Sequence, residues 1–308
     1  MIPSPFQLDV VCYGEILWDI LPDKSLPGGA PMNVAYHLKK LGSNPALITK
    51  VGKDIHGEKL VELLSESGLT TKYVQVDGRH STGLVHAWIK EQNEMVYDIV
   101  QPVAWDFIQW ENQIQELVKE SKYFVYGSLT SRSQVSRDTL YQLLDIANTR
   151  VLDINLRPPH FNRSLVEYLM AKTNILKMNN AELELIAGWY SQFQQPEDRM
   201  KLLQDRFRIE TVVVTMGEEG AMLLDKDAVY RHPGYHVQVA DTIGSGDAFL
   251  AAFINQTIKG TSGQQALSFA CGAGAFIASQ TGACPQYDPS QIKEVMNSYS
   301  QQQSLLSH

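Results

Sequence analysis

One short run carries more chemistry than any other: Val239-Ala-Asp-Thr-Ile-Gly-Ser-Gly-Asp-Ala-Phe-Leu-Ala-Ala-Phe253. Gly244, Ser245 and Gly246 permit tight backbone curvature. Asp247 to Lys259 then reads as a helix of Ala, Phe, Leu and Ile that stops at Gly260. A glycine-rich turn feeding a helix N-terminus presents unpaired N–H groups and a partial positive charge, which suits phosphate oxygens. Asp247 stands where the turn becomes the helix. Taken alone it is more readily an N-cap than a reacting acid, because Asp is a favoured cap. Rival motifs are absent: the sequence has no GxxxxGK[ST], no HExxH and no GxSxG. Gly272-Ala-Gly-Ala-Phe-Ile277 lacks the third glycine of a dinucleotide fingerprint and follows no strand pattern, which removes a dehydrogenase reading.

A second glycine-rich segment shifts the odds for Asp247. In Pro27-Gly-Gly-Ala-Pro-Met-Asn-Val-Ala-Tyr-His-Leu-Lys-Lys-Leu-Gly42, Gly28 and Gly29 form a loop. Pro31 opens a helix with Val34, Ala35, Leu38 and Leu41 on one face, ending at Gly42. Asn33 falls in its first turn, as a capping residue or as a donor and acceptor for a ligand hydroxyl. Gly14, Glu15 and Asp19 follow the first strand pattern. Carboxylates beside the C-terminal end of a strand face the crevice where open α/β sheets bind ligands.

These residues need a scaffold, and the rest of the chain supplies one. Apolar runs at Leu8–Tyr13, Ala46–Val51, Tyr123–Tyr126, Val151–Ile154, Ile175–Met178 and Thr211–Thr215 read as buried strands. Helical patterns such as Gly57–Ser67 and Ser133–Asn148 lie between them. That alternation predicts a mainly parallel central sheet flanked by helices. Two segments break it: Ile16–Pro27, and a hairpin of Gly83–Lys90 and Met95–Val100 around Glu91–Glu94. They are expected to stand off the main sheet as a small β lid. With 44% apolar and 19% charged residues, the 308-residue chain can bury one large core, and a single domain over 1–308 is expected. A net charge of −8 argues against a nucleic-acid partner. Cys12, Cys271 and Cys284 form no metal spacing and are expected reduced and mostly buried. The first nine residues show no leader pattern and no apolar stretch approaches membrane-spanning length, so a cytoplasmic protein without a membrane partner is the expectation. The Gln/Ser-rich tail 298–308 is expected to fray. Trp88, Tyr97 and Trp105 are aromatic candidates for the lid, read as packing residues, and His56, His80 and His86 have no ligand spacing.

At this point the chain resembles the ribokinase, or PfkB, family of carbohydrate kinases. It carries both family signatures: Gly28, Gly29 and Asn33 of the first, and Asp241, Thr242, Gly244, Gly246 and Asp247 of the second. Asp153–Pro159, Asn179–Glu182 and Val214–Ala221 are similar to the weaker family motifs between them. The resemblance spans nearly the whole sequence and implies a ribokinase-like α/β domain with a lid from about 15–27 and 82–105. It implies ATP-dependent phosphorylation of a sugar hydroxyl with Mg²⁺. Asp247 would be the base, with the N–H groups of Gly244, Ser245 and Gly246 as anion hole. Asp19, Gly28, Gly29, Asn33 and Arg157 would meet the sugar. Asn179, Thr215, Gly217, Gly220 and Gly274 would border the nucleotide. Glu182 would organise Mg²⁺ through water, and Asp241 with the carbonyls near Gly282 would hold K⁺, as in some members. Pairing of lid edges would give a homodimer.

The Gly-Gly-Ala-Pro-x-Asn-Val-Ala form, the Asn-Leu-Arg-Pro-Pro stretch and the early Gly-Glu-x-Leu-x-Asp are close to those of fructokinases, so D-fructose is the expected acceptor. Val100 stands near a position where many fructokinases and 2-keto-3-deoxygluconate kinases have arginine, which favours neutral over anionic substrates. The alternatives are a 2-keto-3-deoxygluconate or nucleoside kinase, and, from another class, a sugar- or nucleotide-binding module without activity.

Overall fold

The computed structural model describes residues 8–89 and 95–306. Among these described residues, thirteen strands make two sheets. The large sheet contains β1 (Val10–Tyr13), β4 (Pro45–Gly52), β5 (Val74–Asp77), β8 (Tyr123–Gly127), β9 (Thr149–Asp153), β10 (Ile175–Asn179), β11 (Thr211–Thr215), β12 (Ala221–Asp225) and β13 (Ala228–His232). Its order is β13-β12-β11-β10-β9-β8-β1-β4-β5. From β11 to β5 every pair is parallel, and β12 and β13 add an antiparallel hairpin at one edge. The chain builds outward from β1 in one direction to β5 and then restarts on the other side with β8. That reversal is the switch point at which open α/β sheets leave a crevice at the carboxyl ends of their strands.

Strand residues point alternately to two faces, and both faces are dry. Val11, Tyr13, Phe124 and Leu152 enter one apolar core. Val10, Cys12, Val125 and Val151 enter the other. The first core is covered by α3 (Asn112–Glu120), α4 (Gln134–Ile146), α5 (Arg163–Ala171), α6 (Asn180–Ala187) and α7 (Pro196–Phe207). The second is covered by α1 (Ala30–Lys40), α2 (Ile55–Glu66), α8 (Ser245–Ile258), α9 (Gly263–Ala278) and α10 (Pro289–Leu306). Helix α8 is buried from Asp247 to Asn255 without a break. A helix apolar all round lies inside a protein rather than on it, and alanines 248, 251 and 252 let its neighbours approach.

The small sheet has the order β3-β2-β6-β7, from β2 (Leu17–Ile20), β3 (Ser25–Gly28), β6 (Gly83–Ile89) and β7 (Met95–Ile99). The expected hairpin is present as an antiparallel β6–β7 pair, and β2 runs parallel to β6, so the sheet is mixed. The turn between β6 and β7 lies outside the described residues, as do the side chains of Trp88 and Tyr97. The structure corrects three expectations. Residues 104–107 belong to the body and not to the small sheet: Trp105 is fully buried, and the Arg132 guanidinium lies 3.9 Å over its ring. The tail is not frayed from Ser298, because α10 continues to Leu306. The second signature helix starts at Ser245, two residues before Asp247. No helix among the described residues is long and apolar enough to cross a membrane.

Candidate active site

Most polar groups of the cleft sit at a strand's carboxyl end or a helix's first turn, with Asp19 and Lys177 inside β2 and β10 and Arg157 in the loop after β9. Glu15 follows β1, Thr130 follows β8, Asp153 ends β9, Asn179 ends β10 and Thr215 ends β11. The first turns of α1 and α8 complete the ring. Gly244 is the N-cap of α8, with φ 77° and no side-chain cap bond. A Cβ at this position would lie 2.6 Å from the Cα of Ala283, so glycine is required on steric as well as conformational grounds.

Asp247 is the third residue of α8 and not its N-cap. Its side chain crosses to α1, where Asn33 Nδ2 donates to Oδ2 at 2.7 Å. The carboxyl is 9% exposed. Burial, reinforced by the charge of Asp153, pushes its pKa up to about 6 against the pull of Lys177, Asn33 and Arg157. A carboxylate of that basicity is ionised at neutral pH and is a good proton acceptor. Of the three N–H groups expected to form an anion hole, that of Ser245 already has an acceptor. Both the N–H and the hydroxyl of Ser245 turn back to the carbonyl of Thr242, at 3.3 and 2.9 Å. Gly246 and Asp247 belong to the turn whose N–H groups have no intrahelical acceptor.

Lys177 supplies a cation at this point. Its Nζ lies 3.0 Å from each oxygen of Asp153 and 3.0 Å from where a Cβ of Gly246 would be. Burial opposes its charge, but the carboxylates of Asp153 and Asp247 more than offset that, and its pKa is raised. The lysine is a fixed positive charge against the amides of the α8 turn.

A cavity of about 670 Å³ opens above these groups and is lined by Glu15, Asp19, Asn33, Arg157, Lys177 and Asp247. Gly29 also lines it, and Gly28 lies beneath, where a Cβ would collide with the Asp19 carboxylate. Asp19 is paired through its backbone inside β2, while its carboxylate has no hydrogen-bond partner among the described residues. Burial raises its pKa to about 6, with Arg157 opposing and Asp241 adding to the rise. Glu15 is buried and accepts from Thr130 Oγ1 at 2.6 Å. Arg157 reaches the cavity wall with Nη1 donating to its own neighbour's carbonyl, Leu156 O.

A second hollow of about 280 Å³ adjoins the first and shares Thr215, Gly217, Thr242, Ser245 and Gly246 with it. Gly220 and Gly274 line its far side. Gly220 has φ 86°, and a Cβ there would meet the backbone of His232 and Gly234. Gly274 lies inside α9, facing Ser245 O, so its size also lets α9 close on α8. Asn179 and Glu182 form the capping box of α6: Asn179 Oδ1 accepts from Glu182 N–H, and Glu182 Oε2 accepts from Asn179 N–H, each at 2.8 Å. Glu182 Oε1 also accepts from Leu156 N–H at 2.7 Å. The described residues contain no cluster of three metal-ligating side chains. Each Glu182 oxygen accepts one backbone N–H and keeps a lone pair for a bound water, a donor set that fits Mg²⁺ reached through water. Asp241 accepts from the N–H of Ile243 at 3.0 Å and of Gly282 at 3.2 Å, tying the two loops together.

Of the residues expected at a site, Asp19, Gly29, Asn33, Arg157, Asn179 and Asp247 line the larger hollow, Gly220 and Gly274 the smaller, and Thr215, Gly217, Ser245 and Gly246 both, while Gly28, Glu182 and Asp241 line neither. Sequence reasoning missed Lys177, whose signal was a charged residue inside a buried strand. It also missed the loop 283–287. Cys284 there is half-buried, and its Sγ–H donates to Asn33 Oδ1 at 3.3 Å.

A family model described as pfkB family carbohydrate kinase matches residues 9–289. The probable fructokinase-5 of Arabidopsis thaliana is 29% identical over 94% of this chain and 98% of its own length. Fructokinase-1 of Oryza sativa subsp. japonica is 27% identical over 90% and 93%. Among solved structures, the fructokinase with bound ATP from Xylella fastidiosa aligns with a TM-score of 0.85 at 19% identity, covering 96% of this chain and 100% of that one. The fructokinase from Vibrio cholerae O395 with fructose, ADP and calcium aligns with 0.80 at 22%, covering 95% and 99%. These likenesses show the ribokinase-like fold. The chain belongs to the pfkB family of carbohydrate kinases.

Proposed function

Starting from that family membership, we propose that the protein transfers the γ-phosphoryl group of ATP to a hydroxyl of a neutral sugar, D-fructose, giving fructose 6-phosphate. The observation that carries the reading is the Asp247 carboxylate, held by Asn33 beside Gly246 where the two hollows meet. ATP enters the smaller hollow along Thr215, Gly217, Gly220 and Gly274, and the sugar enters the larger one. The Asp19 carboxylate, without a hydrogen-bond partner among the described residues, accepts hydrogen bonds from sugar hydroxyls. The carboxylates of Glu15, Asp19 and Asp247 face two cations, Arg157 and Lys177, the second already paired with Asp153, and that excess of acid favours a neutral acceptor over an acidic one.

Phosphoryl transfer asks the protein mainly for positioning and charge stabilisation. Asp247 accepts the proton of the attacking hydroxyl. The N–H groups of Gly246 and Asp247, with the Lys177 ammonium behind them, face the transferring group. Donors of this kind are worth roughly 3 kcal/mol each. Bound Mg²⁺ would neutralise phosphate charge, and Asn179 and Glu182 are the residues that would hold it through water. K⁺, where used, belongs at the Asp241–Gly282 junction. The small sheet closes over the sugar as a lid and excludes water, the competing acceptor.

Asp247→Asn tests the assignment. Coupled ADP detection on a panel of fructose, 2-keto-3-deoxygluconate and nucleosides gives the acceptor. Fructose should lead, and the variant should lose turnover while still binding ATP. A variant that turns over like the parent would remove Asp247 as the base.

A further inference from the structure

Four residues of α1 at helical spacing, Asn33, Tyr36, His37 and Lys40, all face the loop 283–287. Tyr36 O–H donates to Pro285 O at 2.6 Å, and Lys40 Nζ to Gln286 Oε1 at 2.6 Å. His37 is fully buried and neutral, its pKa lowered by burial to about 4. It donates from Nε2 to Ala283 O at 2.9 Å and accepts from Tyr287 O–H at Nδ1 at 3.1 Å. The loop is therefore fastened to α1 on both sides of Cys284. Only then does the thiol meet Asn33 Oδ1 at 3.3 Å, on the opposite end of the amide from Asp247.

An asparagine amide can sit either way round at little steric cost. One way gives Asp247 an N–H donor. The other sets a carbonyl oxygen against the carboxylate. We propose that Cys284 is a positioning residue for the transfer reaction: its S–H, donated to Asn33 Oδ1, holds the amide the way round that supplies a donor to ionised Asp247. This rests on the kinase reading above. Burial and the nearby Asp247 charge both raise the thiol's pKa, so it stays protonated and able to donate. The loop's attachment to α1 is what makes a weak donor effective, because the sulfur cannot drift from its acceptor.

Cys284 also borders a small apolar cavity of about 70 Å³ with Met32, Leu60 and Leu64, so a purely packing role is the competing account. Three variants separate the two. Cys284→Ser keeps a donor, Cys284→Val keeps volume, and Cys284→Ala keeps neither. The titration of Asp247 is followed by carbon NMR of the labelled carboxyl, with Asp153, Lys177 and Arg157, the charged groups facing it, unchanged. Alongside it, kcat is measured with saturating ATP and sugar. Both Ala and Val should raise the pH at which Asp247 titrates and lower kcat about five-fold, leaving the KM for ATP within about two-fold. Ser should restore the parent values. Wild-type titration in Ala and Val, or a Ser variant as impaired as Ala, overturns the proposal. An inactive wild-type protein would instead overturn the kinase reading, and the titration would still decide the role of the thiol.

Discussion

Helices α6 and α8 start on the same cleft with an acid at the same place, three residues after the N-cap, yet the two acids do opposite things. In α6 the N-cap is Asn179, and Glu182 folds back onto its N–H to close a capping box. That end is satisfied and its carboxylate is committed to the backbone. In α8 the N-cap is Gly244, left-handed and without a side chain. Asp247 is one methylene shorter than Glu, does not fold back, and reaches Asn33 on another helix instead. The difference lies largely in the residue three positions earlier. A helix that caps itself is inert toward anions, and one that begins on a bare glycine keeps its amides and its acid for a ligand.

The largest expected effect breaks the α8 side of this comparison. Asp247→Asn should cut turnover by about 10³-fold or more with ATP affinity nearly unchanged, measured by coupled assay and nucleotide titration. The same variant should be more stable at pH 7.5. The folded pKa of Asp247 is raised from 3.8 to about 6, so the wild-type carboxyl favours folding while neutral and loses that contribution as pH rises through about 6. The gain at pH 7.5 is expected to be about 3 kcal/mol and should vanish toward pH 4 in denaturant melts. Wild-type turnover should correspondingly fall about ten-fold per unit below pH 6.

Removing the cation comes next. Lys177→Met leaves the Asp153 carboxylate buried and unpaired, a loss of about 3 kcal/mol in urea unfolding. The double change Lys177→Met/Asp153→Leu should recover most of the stability and none of the turnover. Recovery of both would reduce the lysine to a structural part. Gly244→Ala should cost about 2 kcal/mol through its positive φ and the contact with Ala283, and it should also lower kcat by tilting the α8 turn. The smallest effect belongs to α6. Glutamine can still close the capping box with its one oxygen, but its NH2 cannot accept from Leu156 N–H as Glu182 Oε1 does, so Glu182→Gln should cost about 1 kcal/mol of stability and lower turnover less than ten-fold. A loss as large as that of Asp247→Asn would erase the distinction between the two helix ends.

Elements were legible where one physical rule dominated. Thr211–Thr215 is buried on both faces, and its apolar run marks β11 residue for residue. The hairpin of β6 and β7 followed from the absence of a helix between two strand patterns. Asp247 was legible as an acid facing a cleft but misplaced by two residues in its helix, because glycines hide where a first turn begins. Lys177 was read as part of an apolar strand, since its meaning depends on Asp153 from β9 lying alongside. Cys284 was legible only as a buried thiol. Its contact with Asn33 joins residues 251 positions apart, and nothing local encodes that.

One connection in the small sheet has a mechanical consequence. Strand β3 ends at Gly28 and α1 begins at Ala30, so Gly29 alone joins the sheet to the helix carrying Asn33. A linker of one residue holds no slack. Any swing of the sheet must be taken up as torsion at Gly29, whose φ of 113° is a setting that side chains rarely allow. Were the small sheet to move as the proposed lid, its pivot would stand one helical turn from Asn33, and opening the entrance would also disturb the contact that holds the proposed base.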